Sequence, residues 1–156
     1  MNKIRIGLIS DTHGLLRPEA RVALRGVDRI IHAGDICKQE VLEQLAQIAP
    51  VVAVRGNNDK GGWAESLKEA VTMEIGGVKV HVIHDLQELQ PEPKAAGIQV
   101  VISGHSHKPA VKMDRGVLFV NPGSAGPRRF KLPISLGFLE IADGVPKARV
   151  QTLEVD

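Results

Sequence analysis

Apolar residues fall in short runs along this chain, and polar residues gather where each run stops. In the first half, runs at residues 4–9, 29–33 and 51–54 have the length of buried strands, and stretches with helical spacing separate them. One such stretch starts at Pro18 and reaches Leu24; a first helical turn accepts proline because the missing N–H would be unpaired there anyway. The other, residues 38–48, sets Val41, Leu42, Leu45 and Ile48 on one face. Strands alternating with helices predict βαβ units that feed a largely buried sheet.

Past residue 70 the pattern changes. Runs at 71–75 and 78–83 flank Gly76-Gly77, a hairpin signal because glycine accepts the positive φ that such turns require. Runs at 98–102, 110–113, 117–120, 134–141 and 147–153 follow, with turn residues at Asp114-Arg115-Gly116 and Asp143-Gly144. No repeat, low-complexity stretch or linker divides the chain, so residues 1–156 are expected to form one domain. Many strands and few helices predict an α/β protein with two packed mixed sheets and helices outside them.

Composition leaves this picture in place. The 156 residues suit a single core, and 43% apolar with 24% charged residues is ordinary for a globular domain. A net charge of +2 is too small to attract nucleic acid or a membrane through bulk electrostatics; the densest basic cluster is Arg128, Arg129 and Lys131. The start MNKIRIGLISDTHG has no long apolar stretch followed by a cleavage site, so a soluble, cytoplasmic protein is expected. One cysteine, Cys37, permits neither a disulfide within the chain nor a thiolate zinc site, and fits a reducing compartment. The histidines change the picture more.

Where the strand-like runs end, metal-competent side chains begin. Ser10-Asp11-Thr12-His13, Gly34-Asp35, Gly56-Asn57-Asn58-Asp59, His84-Asp85 and Gly104-His105-Ser106-His107 each follow such a run, where open α/β sheets place ligand crevices. Oxygen and imidazole donors without sulfur suit Mn, Fe, Zn, Co or Ni better than Mg or Ca alone. The donors exceed what one site needs. Two cations roughly 3.5–4 Å apart, sharing a carboxylate, would use them all and would clamp both oxygens of a phosphoryl transfer.

In this order, DTH, GD, GNND, a lone histidine after a strand and GHSH resemble the calcineurin-like metallophosphoesterase superfamily. The sequences IIHAGD and NPGS, the latter followed by Pro127-Arg128, resemble its small single-domain phosphodiesterases. The resemblance implies a four-layer αββα sandwich. It also implies one metal held by Asp11, His13, Asp35 and His107, and a second held by Asp35, Asn57, His84 and His105, with manganese foremost among the candidates. A hydroxide between the metals would attack phosphorus in line. Asp35, Asn57, Asp59 and His105 are thus candidates for the reacting centre, although Asp59 also reads as a turn aspartate. Asn58, Asn121, Gly123, Ser124 and Arg128 are candidates for contacting a small phosphate-ester substrate; the NPGS stretch reads equally as a tight loop.

The chain departs from the family pattern at Asn58, where many members carry a proton-donating histidine. An amide has no such proton, so esters with already acidic leaving groups are expected to be preferred. Asp85 stands where glycine commonly follows the ligand histidine. His32 reads as a buried residue orienting a neighbouring ligand, and alternation turns His81 away from the face used by His84. Cys37 reads as a small buried residue. Trp63, after Gly61-Gly62, reads either as part of a flap or as a capping aromatic. Two other functions fit the same resemblance: a phosphomonoesterase, or a non-catalytic scaffold like the retromer subunit of this fold. An outer strand near the C-terminus would also allow a homodimer.

Overall fold

The computed structural model describes residues 3–90, 92–129 and 131–155. Its strands are β1 (Lys3–Ile9), β2 (Arg29–His32), β3 (Val51–Ala53), β4 (Ala70–Ile75), β5 (Val78–Ile83), β6 (Val100–Ile102), β7 (Ala110–Asp114), β8 (Val117–Asn121), β9 (Ser135–Ala142) and β10 (Val145–Thr152). The α-helices are α1 (Pro18–Ala23) and α2 (Gln39–Ala46). Two five-stranded sheets result, ordered β10-β9-β1-β2-β3 and β4-β5-β6-β8-β7. Both are mixed: β1, β2 and β3 are mutually parallel, as are β5, β6 and β8, while β9 and β10 in the first sheet and β4 and β7 in the second pair antiparallel.

Alternation along the strands divides the apolar side chains between layers. Ile6 and Leu8 of β1 and Leu139 and Ile141 of β9 point into the space between the sheets, where they meet Val78, Val80 and Val82 of β5. These β-branched residues suit a pleated surface, and burying each side chain contributes about 1.5–3 kcal/mol. The alternate residues, Ile9, Ile30, Leu136 and Phe138, face the other way and pack against Ala20 of α1, Leu24 at its C-terminal cap, and Val41 and Leu45 of α2. A polar residue at Val80 would break the first of these layers, because it is fully buried.

The helices cover only the first sheet. Over the second, the outer layer is a 3-10 turn at Leu86–Glu88 together with Leu89, Ala96 and Ile98, which pack against Ile83, Val101 and Val117. Pro93 and the positive φ of Gly97 leave this segment no room for a long helix. Helix α2 is also shorter than its apolar spacing predicts, ending at Ala46. β10 is an edge strand, and Pro146, Lys147 and Arg149 along it blunt the edge against further pairing. No helix among the described residues is long and apolar enough to cross a membrane.

Candidate metal centre

Parallel strands end at one rim of each sheet, and the loops that leave them fold into conformations that side chains ordinarily avoid. Asp11 (φ 54°), His13 (46°), Asp35 (57°), His105 (72°) and His107 (65°) all lie in the left-handed region. Each such residue costs on the order of 1 kcal/mol or more, so the surrounding contacts must hold it there. They do so through the backbone: Asp11 N–H donates to Gly34 O (3.0 Å), His13 N–H to Asp35 O (3.0 Å) and Gly104 N–H to His84 O (2.9 Å). Asp59 adds a buried clamp, its carboxylate accepting the N–H groups of Asp35 (3.0 Å), Ile36 (2.8 Å), Cys37 (2.7 Å) and Gly56 (2.8 Å). Gly104 is required where it stands, because a Cβ there would press on Ser10 Oγ and lie 2.7 Å from Asp11 Oδ2.

The side chains held by these loops converge. Asp11 Oδ2 accepts from Ser10 Oγ (2.7 Å) and His105 N–H (3.1 Å), leaving Oδ1 directed at His107 Nε2 (3.4 Å), His13 Nε2 (3.9 Å) and His84 Nε2 (3.9 Å). Asp35 lies between the two ends of the cluster, its Oδ2 3.2 Å from His84 Nε2 and 3.8 Å from His13 Nε2. Asn58 anchors that carboxylate, donating its N–H to Oδ1 (2.9 Å) and its amide Nδ2 to Oδ2 (3.1 Å). The His84 ring donates Nδ1–H to Ala33 O (2.7 Å), which directs Nε2 at the carboxylates. Two triads whose ligand atoms lie within 4.8 Å of one another emerge: Asp11, His13 and His107, and Asp11, Asp35 and His84. On the far side, Asn57, His84, Asp85 and His105 line a cleft of about 320 Å³.

Asp11 Oδ1, His13 Nε2 and His84 Nε2 are buried without hydrogen-bond partners. Buried polar atoms without partners are expensive, and three of them facing one another fit a cation far better than a packed core. The titration behaviour agrees. Burial would raise the Asp35 carboxyl, but the adjacent His84 imidazole and the Asn58 backbone N–H outweigh it and hold it below the usual range. Burial would lower His84, yet the adjacent Asp35 and Asp11 carboxylates push it up to about 8. Asp11 is lowered despite its burial, chiefly through His107, whereas burial keeps His13 below its ordinary value. Ionised carboxylates beside imidazoles form a donor set for a divalent transition metal.

A family model described as the calcineurin-like phosphoesterase superfamily domain matches residues 4–144. The chain belongs to that superfamily. This calcineurin-like phosphoesterase is 39% identical over 132 residues to a probable metallophosphoesterase of Methanocaldococcus jannaschii, covering 76% of this chain and 67% of the relative. The solved structure of an archaeal phosphodiesterase superimposes with a TM-score of 0.78 at 26% identity, over 95% of this chain and 100% of that one. Chaetomium thermophilum Vps29 shares the fold, with a TM-score of 0.77 at 18% identity over 96% of this chain and 97% of that one. The family implies divalent metal ions, and the unpaired donors of this phosphoesterase fit them.

The remaining candidates fall in several places. His105 is the outlying histidine, half exposed, with Nε2 3.8 Å from Asp85 Oδ2 and its ring edge-on to His84. Asn121 spends its side chain on the loops: Nδ2 donates to Gly104 O (3.0 Å) and Ser106 Oγ (3.1 Å), and Oδ1 accepts from Gly123 N–H (2.9 Å). Ser124 Oγ donates to Asp11 O (3.1 Å) and accepts from Gly126 N–H (3.3 Å), so this stretch straps the Asp11 loop from behind. Arg128 and Arg129 are exposed, and Arg129 is near enough to His13 to disfavour its protonation, a proximity that only folding reveals. His32 is fully buried; its Nδ1 accepts Gly34 N–H (3.1 Å), so the neutral ring donates Nε2–H to Thr12 Oγ1 (3.0 Å), which lies between Asp11 and His13. His81 hydrogen-bonds Thr72 Oγ1 (2.7 Å) away from the metal centre. Cys37 Sγ sits 3.6 Å from His13 Nδ1, but burial and the nearby Asp59 push its thiol up to about 11, so it stays protonated. Trp63 packs with the helical layer.

Proposed function

We propose that this protein is a two-cation phosphoesterase acting on phosphodiesters. Asp11, His13, Asp35 and His107 would hold one cation, and Asp35, Asn57, His84 and His105 the other, with manganese the first candidate and iron, zinc, cobalt or nickel also suited to the donors. The observation that carries the reading is the convergence of the unpaired, buried Asp11 Oδ1, His13 Nε2 and His84 Nε2 around Asp35. When bound, the cations supply Lewis acidity that acidifies water and neutralises charge on the phosphoryl oxygens.

The chain's own residues keep the donors in place. Asp59 fixes the Asp35 loop through its backbone N–H groups, Asn58 orients the Asp35 carboxylate, and Ala33 sets the tautomer of His84. The cleft favours diesters over monoesters by charge. Glu69, Asp85 and Glu88 line it against one guanidinium, Arg55, which already pairs with Glu69 at 3.2 Å. A monoester dianion meets more repulsion there than a diester monoanion.

Turnover of bis(p-nitrophenyl) phosphate and p-nitrophenyl phosphate with added manganese tests the proposal. The diester should be hydrolysed faster, and Asp35→Asn should abolish turnover. A faster monoester overturns the diester assignment; no cation-dependent turnover of either overturns the phosphoesterase.

A further inference from the structure

A second cavity adjoins the metal cleft. It is an open groove of about 380 Å³ on the outer face of the second sheet, beyond the loop that covers the rest of that face. Phe119 and Ala110 line its base, Leu86 forms a wall, and Lys108 and Lys112 stand at its edge. Lys112 lies directly across the strand pair from Phe119. Leu86 is 42% exposed, an uncommon position for leucine at the rim of a site, and it is held there: Asp85 Oδ1 caps the 3-10 turn by accepting Gln87 N–H at 3.0 Å. The residue that departs from the family's glycine therefore presents Leu86 to the groove.

The two cavities share their dividing wall. Asp85 and His105 line the metal cleft, while Leu86 and Ser106, the next residue in each case, line the groove. A phosphorus atom beside His84 and His105 can therefore direct one ester arm across this shared wall. We propose that the groove seats that arm, and that the arm is an aromatic or heterocyclic alcohol, such as a nucleoside, retained on the phosphate when the leaving group departs. This rests on the phosphoesterase reading. The partly buried Phe119 offers a stacking platform at the base of the groove, and Leu86 adds an apolar edge. Water supplies oxygen to phosphorus, the leaving alkoxide departs with a proton from solvent, and the ring-bearing monoester remains.

Three diesters with a common leaving group isolate the retained arm: the p-nitrophenyl esters of thymidine 5′-phosphate, phenyl phosphate and methyl phosphate. With manganese-loaded protein, the ring-bearing esters should show kcat/KM about tenfold above the methyl ester, the low end of what one stacked ring contributes. Preference for the thymidine ester alone indicates a nucleoside; equal preference for the phenyl ester indicates any aryl group. Leu86→Ser, at an exposed position that folding tolerates, and Phe119→Ser should shrink the ratio toward one. Equal kcat/KM for all three esters, or variants that lower all three by one factor, overturns the groove. Should none be hydrolysed, the phosphoesterase reading falls by itself, and titration of thymidine 5′-phosphate into ¹⁵N-labelled protein still decides the groove. Amide shifts centred on Leu86, Ala110 and Phe119 uphold it, and shifts elsewhere or none overturn it.

Discussion

Asp11 divides its carboxylate, with one oxygen tied to Ser10 and the backbone of His105 and the other left facing three imidazoles. Candidates of this kind could be singled out in sequence because carboxylates, amides and imidazoles are possible donors wherever they sit. The supporting partners were not, since nothing in a string of letters shows that Asp59 gathers amides from two loops. Asp59→Ala would leave those buried N–H groups without an acceptor; at about 1–3 kcal/mol for each unsatisfied group, a loss of roughly 3 kcal/mol or more is expected in urea denaturation, whereas a loss below about 1 kcal/mol refutes the clamp. At Asn58, histidine should speed alkyl diesters at least about tenfold more than aryl ones, because only poor leaving groups need the added proton. An equal gain on both removes that explanation. His32 is held neutral by burial, its value lowered from 6.5 to about 3. Between those values the unfolded chain binds a proton that the folded chain refuses, so stability is full above pH 6.5 and is lost as pH falls toward 3. In metal-free protein His32→Gln should flatten that slope by about 1.4 kcal/mol per pH unit below pH 6, and parallel curves for the two proteins would contradict it.

The strands are the elements that the apolar pattern foretold best, since period-two alternation and glycine turns are local signals. Pairing order was hidden, because the neighbours of β1 are β2 and the distant β9. The cover over the second sheet was hidden as well: the segment from Leu86 to Ile98 has no period, and its few apolar contacts are set by the sheet beneath. Loops at the strand ends carry the chemistry, and their geometry depends on close approach. Gly104→Ala would push the GHSH loop away from Ser10 and Asp11. We expect cation affinity to fall at least about tenfold, with a stability loss of roughly 1–3 kcal/mol. Unchanged cation affinity would show that the loop has room to spare.

For the molecule as a whole, the two sheets bring donors from opposite halves of the chain to a common rim. Asp11 and Asp35 come from the first sheet and His84 and His107 from the second, so the candidate metal centre exists only when the sheets are packed. A cation that binds the folded chain alone must stabilise it, by about 2.7 kcal/mol at a hundred times its dissociation constant. The most direct measurement is the number of manganese ions held per chain after equilibrium dialysis and elemental analysis, for the wild type and for Asp35→Asn. Two ions in the wild type and fewer than one in the variant are expected. A wild type that holds one ion or none, or a variant that still holds two, contradicts a shared carboxylate between paired cations.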